Sequence, residues 1–238
     1  MARYYTRVCN FYYGNKSQIL VKNKKSLPLN GNNEISFDHI ELISRKSIKK
    51  IPINKIFRLS KELKKKVAKD IKKITTKKKN FANLNFKKIP NIMGVLNITP
   101  DSFSDGGKYN TKKKAIKHAY QMFSSGASII DIGGESTRPG AKPISAKLEW
   151  DRINKILKSL LKKIPLSLDT RKSEIMEKGI KLGVKLINDV SGLNYDLKTQ
   201  NTLNKYKVPF VIQHSQGIPE NMQKNPKYKN ELLDIYDF

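Results

Sequence analysis

A single cysteine, Cys9, in 238 residues leaves no partner for an intrachain disulfide and excludes a cysteine-built metal site. That scarcity fits a reducing compartment, so a cytoplasmic location is expected. Long apolar runs are missing as well. No stretch approaches the ~18 to 20 uninterrupted apolar residues of a membrane span, and the start, Met1-Ala2-Arg3-Tyr4-Tyr5-Thr6-Arg7, leads into no apolar segment of the secretory type. No membrane partner is expected. Acidic residues are few, 20 Asp+Glu against 48 Lys+Arg, for a formal net charge of +28. An excess of that size is what nucleic acid, an anionic surface or an anionic substrate would select.

The excess is unevenly distributed. Residues 1–90 carry 24 Lys+Arg against 5 Asp+Glu, whereas residues 91–238 carry 24 against 15. Most of the imbalance therefore lies outside the region where chemical motifs are found. We read it as solvated lysine in a Lys-, Asn- and Ile-rich composition, in preference to a nucleic-acid footprint.

The same division appears in the patterning, with a change of texture across residues 80–90. Upstream, the aromatic-rich residues 3–13 and the apolar positions Ile35, Phe37, Ile40 and Leu42 suggest two short strands around a polar loop at Asn30-Gly31-Asn32-Asn33. Ile56, Leu59, Leu63, Val67, Ile71 and Ile74 then recur at steps of three and four, one apolar stripe on a lysine-rich helix. A stripe so regular is expected to pack on its own domain, although a basic amphipathic helix can also lie on acidic lipid or RNA. We take residues 1–90 as a basic α+β extension of unknown function and residues 91–238 as a second domain.

In that second domain, short apolar runs at 92–98, 128–132, 166–168, 185–188 and 209–212 read as strands buried on both faces. They alternate with helical spacing at 112–124, 146–163, 172–182 and 197–206. Such βα alternation implies a parallel sheet with right-handed crossovers, either a barrel or an open doubly wound sheet. Asn97, Asp131, Asp169, Asn188 and His214 fall at the C-terminal ends of successive strands, where parallel α/β folds assemble their sites.

Two long loops carry most of the chemistry. The first runs Asn97-Ile98-Thr99-Pro100-Asp101-Ser102-Phe103-Ser104-Asp105-Gly106-Gly107, longer than a plain βα turn needs. The second runs Asp131-Ile132-Gly133-Gly134-Glu135-Ser136-Thr137-Arg138-Pro139-Gly140-Ala141. Its glycines allow close backbone approach, Thr137 offers a hydroxyl, and Arg138 offers a planar fork for phosphate or carboxylate oxygens. Strands three and four end in Ser167-Leu168-Asp169-Thr170 and Ile187-Asn188-Asp189-Val190-Ser191-Gly192. A carboxylate and a carboxamide from neighbouring strands match the donors and acceptors on a pterin edge. Helix capping is the rival role for Asp169, and a weaker one for Asn188, where Asp189 is better placed to cap.

The segment from Met93 to Gly107 resembles the first signature of the dihydropteroate synthases, and Asp131 to Ala141 resembles the second. Ser167 to Thr170, Ile187 to Gly192 and the set His214, Gly217, Pro219, Met222, Gln223 are similar to later family segments, so the likeness covers 91 to about 230. The resemblance implies a TIM (β/α)8 barrel, of which about the first five βα units are present behind the N-terminal extension. It implies a transferase of folate biosynthesis that joins 6-hydroxymethyl-7,8-dihydropterin diphosphate to para-aminobenzoate, giving 7,8-dihydropteroate and diphosphate. By carry-over, Asn97 would hold Mg2+ and diphosphate, and Thr137 and Arg138 would close over diphosphate and aminobenzoate. These three are the expected catalytic residues. Asp131, Asp169 and Asn188 would line the pterin site, and Phe103 and Pro139 the aminobenzoate pocket where sulfonamides compete. The partners are then small molecules, and the family allows a homodimer at full length.

The chain departs from the pattern at its far end. The family's Asp-Pro-Gly segment, a later lysine and a Ser-x-Arg-x-His segment are absent before Phe238, and Ser215 stands where methionine is expected after the histidine. Five strands of eight leave two unpaired edges and an open interior, so a fragment of a longer protein is the expectation. The competing readings are a pterin-binding methyltransferase module, an inactive synthase-like fragment, and nucleic-acid binding by residues 1–90.

Overall fold

The computed structural model describes residues 3–85, 90–99, 112–136, 141–217 and 225–238. The chain divides into two compact units, Met1–Lys79 and Asn80–Phe238.

In the first unit the long strand β3 (Asn32–Ile43) organises an antiparallel sheet. Strand β1 (Tyr5–Tyr13) pairs along one edge of it. The other edge is shared by β2 (Leu27–Leu29) near the start of β3 and β4 (Ile48–Pro52) near its end. The two foreseen strands are β1 and β3; β2, β4 and helix α1 (Gly14–Lys22) had not been foreseen. Helix α1 lacks a regular apolar stripe, and what it buries is a hydroxyl: Ser17 Oγ donates to Ser36 Oγ (2.8 Å), which also receives Ser26 Oγ (2.8 Å).

The basic apolar stripe is divided between a 3-10 turn (Ile53–Arg58) and helix α2 (Lys61–Thr75). Val67 is fully buried, and Ile56, Leu59, Ile71 and Ile74 pack with it on Phe37, Ile40 and Leu42. The stripe is thus the core of its own unit, and the lysines are on the outside for the reason that any charged helix face is.

The second unit is a run of five βα pairs. Strands β5 (Met93–Asn97), β6 (Ile129–Gly133), β7 (Leu166–Asp169), β8 (Leu186–Asp189) and β9 (Phe210–Ile212) lie in sequence order, all parallel. Helices α3 (Lys112–Ser124), α4 (Ala146–Leu160), α5 (Ser173–Leu182), α6 (Thr199–Tyr206) and α7 (Glu231–Asp237) follow them in turn. This is the order of the first five units of a (β/α)8 barrel.

Alternate strand residues Leu96, Ile130, Ile132, Leu166, Leu168 and Ile187 form the core beneath the helices. The approach there is close: a methyl at Gly179 of α5 would collide with the Leu168 side chain. Burial on both faces was expected for every strand and holds for β6, whose residues are all buried. It fails for the outermost two. Met93 and Val95 on β5, and Phe210, Val211 and Ile212 on β9, are exposed, because among the described residues each of these strands has a neighbour on one side only. The floor of the other sheet face is closed by residues ahead of β5, with Ala82 and Leu84 packing on Ile129 and Leu186.

Candidate functional site

Parallel register brings the polar residues together. Asn97, Gly133, Asp169 and Asn188 are successive cross-strand partners, one layer at the C-terminal ends of β5 to β8. Asp131 and Ser167 are partners two residues earlier, so they lie one layer deeper on the same face. That face, opposite the helices, carries the candidate site above the Ala82 floor.

Within it, Asn188 Nδ2 donates to Asp131 Oδ2 at 2.9 Å. Gly133 leaves room between neighbours: a methyl there would lie 3.0 Å from Asn97 Oδ1 and 3.3 Å from Asp169 Oδ2. Asp131 Oδ1 and Asp169 Oδ1 on that face, and Thr99 Oγ1 just past the end of β5, are buried with no hydrogen-bond partner among the described residues. Buried polar atoms are normally paired, so a cluster of orphans on one face marks the place where a ligand supplies the partners.

The electrostatics agree. Burial pushes the Asp131 carboxyl up, and the Ser167 and Asn188 side chains offset only part of that. Asp169 is driven well above the usual carboxylate range by burial and then by the negative charges of Asp131, Glu149, Asp189 and Glu135. A ligand edge carrying N–H donors would satisfy both carboxyls at once.

The capping role weighed for Asp169 does not occur. Helix α5 starts after Lys172 with no side-chain cap, and the Ser173 amide goes instead to Asp196 Oδ2 at 2.9 Å. Asp189 is taken up in its own turn, accepting from the Ser191 amide (2.8 Å), the Ser191 hydroxyl (2.6 Å) and the Leu193 amide (3.0 Å). Asn188 is thereby left to face the site. His214 is placed differently from the rest: its Nε2 meets Tyr228 Oη at 3.1 Å and its ring stands edge-on to Phe238, centroids 4.6 Å apart. No hydrogen bond between described residues links it to the Asp131–Asn188 pair. Four expected site residues, Phe103, Thr137, Arg138 and Pro139, lie outside the described residues.

The pterin-binding enzyme model matches residues 93–237. The chain belongs to the pterin-binding enzyme family. Among individual members of this family, the dihydropteroate synthase of Neisseria meningitidis serogroup C is 46% identical over 149 residues, 61% of this chain and 53% of that protein. A crystal structure of the Yersinia pestis dihydropteroate synthase with a sulfonamide drug superposes with a TM-score of 0.61 at 41% identity, covering 65% of this chain and 56% of that one. The Xanthomonas albilineans enzyme with 4-aminobenzoic acid gives 0.55 at 36% identity, covering 63% and 53%. The chain thus spans about half the length of the curated relatives that it matches. No helix among the described residues is long and apolar enough to cross a membrane.

Sequence reasoning missed Ser167 as a member of the polar face, though its place two residues before Asp169 was a usable period-two signal. It also missed a buried charge network just outside the face. Glu135 takes Arg171 Nε at 2.9 Å and Lys172 Nζ at 2.9 Å, while Glu149 takes Lys172 Nζ at 2.6 Å. All four side chains are buried, and nothing in the local sequence pairs residues so far apart.

Proposed function

We propose that this chain carries the pterin-binding part of a dihydropteroate synthase, a transferase of folate biosynthesis that condenses 6-hydroxymethyl-7,8-dihydropterin diphosphate with para-aminobenzoate. The observation that carries the reading is the Asp131–Asn188 pair beside Asp169, with its orphaned carboxyl oxygens, on one face of a parallel sheet. Asn188 spends an amide hydrogen on Asp131, which leaves its Oδ1 to accept from the ligand. Asp131 Oδ1 and Asp169 Oδ1 remain for the amino and ring N–H groups of the pterin edge. The floor of Ala82, Ile129 and Leu186 suits an aromatic ring above it.

The chemistry asks little of a general base. The bond between the exocyclic methylene and diphosphate oxygen breaks, diphosphate leaves with the electron pair, and the electron-rich pterin spreads the positive charge. The neutral aniline nitrogen then forms the new C–N bond, and the resulting anilinium gives up its proton to water or to the departing diphosphate. The protein's tasks are to hold the pterin, to neutralise the leaving group and to exclude water. Thr137 and Arg138 are assigned to diphosphate, and Phe103 and Pro139 to the aminobenzoate ring, where sulfonamides would compete. Mg2+ is assigned to Asn97. When bound there, Mg2+ would supply Lewis-acid charge to the diphosphate. A homodimer of the full-length protein belongs to the same proposal.

Calorimetric titration separates this reading from its rival. The protein should bind 6-hydroxymethylpterin diphosphate, and Asp169→Asn should abolish that binding. Binding of methyltetrahydrofolate with indifference to the pterin diphosphate would instead identify a methyl-transfer module.

A further inference from the structure

The four residues that follow Asp169 are each tied down by a side chain from another segment. Thr170 Oγ1 donates to Glu149 Oε1 at 2.5 Å, and its amide donates to the Asn188 carbonyl at 3.1 Å. Arg171 is held between Glu135 (Nε to Oε2, 2.9 Å) and the face of Tyr195, whose centroid is 4.0 Å from its guanidinium carbon. Lys172 bridges Glu135 and Glu149, and the Ser173 amide is taken by Asp196. Glu135 also accepts the Ile144 amide at 2.9 Å, which fixes it from a second direction.

Two acids and two bases, all buried, cancel in charge but need not add stability. The desolvation of such groups commonly matches or exceeds what their attraction returns, and apolar residues of similar volume often serve a fold as well. What the network does supply is geometry, since it reaches the loop after β6, the first turn of α4 and the loop after β8, and converges on the backbone adjoining one carboxyl.

We propose that Glu135, Glu149 and Thr170 are positioning residues for Asp169, clamping the chain beyond it so that its carboxyl stays on the site face beside Asp131. The assignment of pterin as the ligand rests on the functional reading above; the clamp itself stands on the contacts. It has an electrostatic counterpart. Among the described residues, the charged groups acting on Asp169 from neighbouring elements are Asp131, Glu149, Asp189 and Glu135, all of which favour its protonated form, while Arg171 and Lys172 are the cations of its own loop. Removing the Glu135 charge should therefore lower the proton affinity of Asp169.

The test uses Thr170→Val, which keeps volume and deletes the hydroxyl, Thr170→Ser, which restores it, and Glu135→Gln. Two readouts are taken: the affinity for 6-hydroxymethylpterin and the titration of the Asp169 carboxyl 13C shift. Thr170→Val should weaken pterin binding about tenfold, the scale on which supporting partners of a site act. Thr170→Ser should recover it, and Glu135→Gln should move the Asp169 titration to lower pH. A purely structural network would shift the melting temperature alone. Wild-type affinity in Thr170→Val together with an unmoved Asp169 titration in Glu135→Gln overturns the proposal. If the wild-type protein binds no pterin at all, the functional reading fails, and the place of the Asp169 side chain in a crystal structure of Thr170→Val then decides the clamp: displaced from the site face supports it, unmoved overturns it.

Discussion

On the helix side of the parallel sheet, Leu96, Ile132, Leu168 and Ile187 are fully buried and belong to one apolar core. One residue along each strand, on the opposite face, stand Asn97, Gly133, Asp169 and Asn188. The same backbone carries both rows, and neither row follows from strand propensity. The helix side is what folding requires, a dry layer worth about 25 cal/mol per Å2 removed from water. The other side works against folding: it holds two buried carboxyls, Asp131 and Asp169, each with an oxygen, Oδ1, that finds no partner among the described residues. A protein tolerates such a face where a ligand completes it, and the contrast between the two rows is therefore a functional signature in its own right.

The contrast can be broken most forcefully at Leu168. Leu168→Ala would open a cavity under α5, at the place where Gly179 lets the helix sit close, and should cost about 2 to 5 kcal/mol in chemical denaturation. Asp169→Asn, its immediate neighbour, should act with the opposite sign. Because the folded-state carboxyl is raised, the native protein binds that proton more tightly than the unfolded chain does, so wild-type stability falls as pH rises from the ordinary carboxylate range toward the raised value. The asparagine has no charge to bury. Its advantage should be nil at pH 3 and grow toward neutrality by about 1.4 kcal/mol for each pH unit between the ordinary carboxylate pKa and the raised one, while pterin affinity is lost. Equal stability of the two proteins at pH 7 would mean that the site face is not strained, and the comparison would lapse.

Much of the second unit was legible in advance because period-two alternation and βα spacing are local signals. The helix 112–124 was read to its ends, and each of the five strand runs to within a residue or two. The placement of Asn97, Asp169 and Asn188 in one layer followed from strand ends alone. What stayed hidden depended on distance in sequence. Glu135 meets Arg171 across 36 residues and Glu149 meets Lys172 across 23, and a lone Glu in a loop or in a helix's first turn reads as solvated or as a dipole partner. In the first unit, α1 and β2 escaped notice because they are short, and a serine cluster replaces the apolar pattern that would mark them. The lysine-rich stripe was legible as a helix, but Ser60 divides it: the turn Ile53–Arg58 precedes it and Lys61–Thr75 follows.

The smallest expected effect is also the sharpest probe of the site row. Gly133 sits between Asn97 and Asp169, and an alanine methyl would come 3.0 Å from one oxygen and 3.3 Å from the other. Both contacts are with the ends of side chains, which can give by a few tenths of an ångström, so Gly133→Ala should cost only about 1 kcal/mol, the low end for overpacking. The helix-side core, pointing the other way, should not register it. The same small displacement moves the two groups assigned to opposite ends of one substrate, and misplacement on that scale is what precise sites tolerate least. Affinity for 6-hydroxymethylpterin diphosphate should fall by about tenfold while the melting curve barely moves. If titration calorimetry finds the affinity of Gly133→Ala unchanged, then Asn97 and Asp169 do not act on one ligand, and the polar row has some other use.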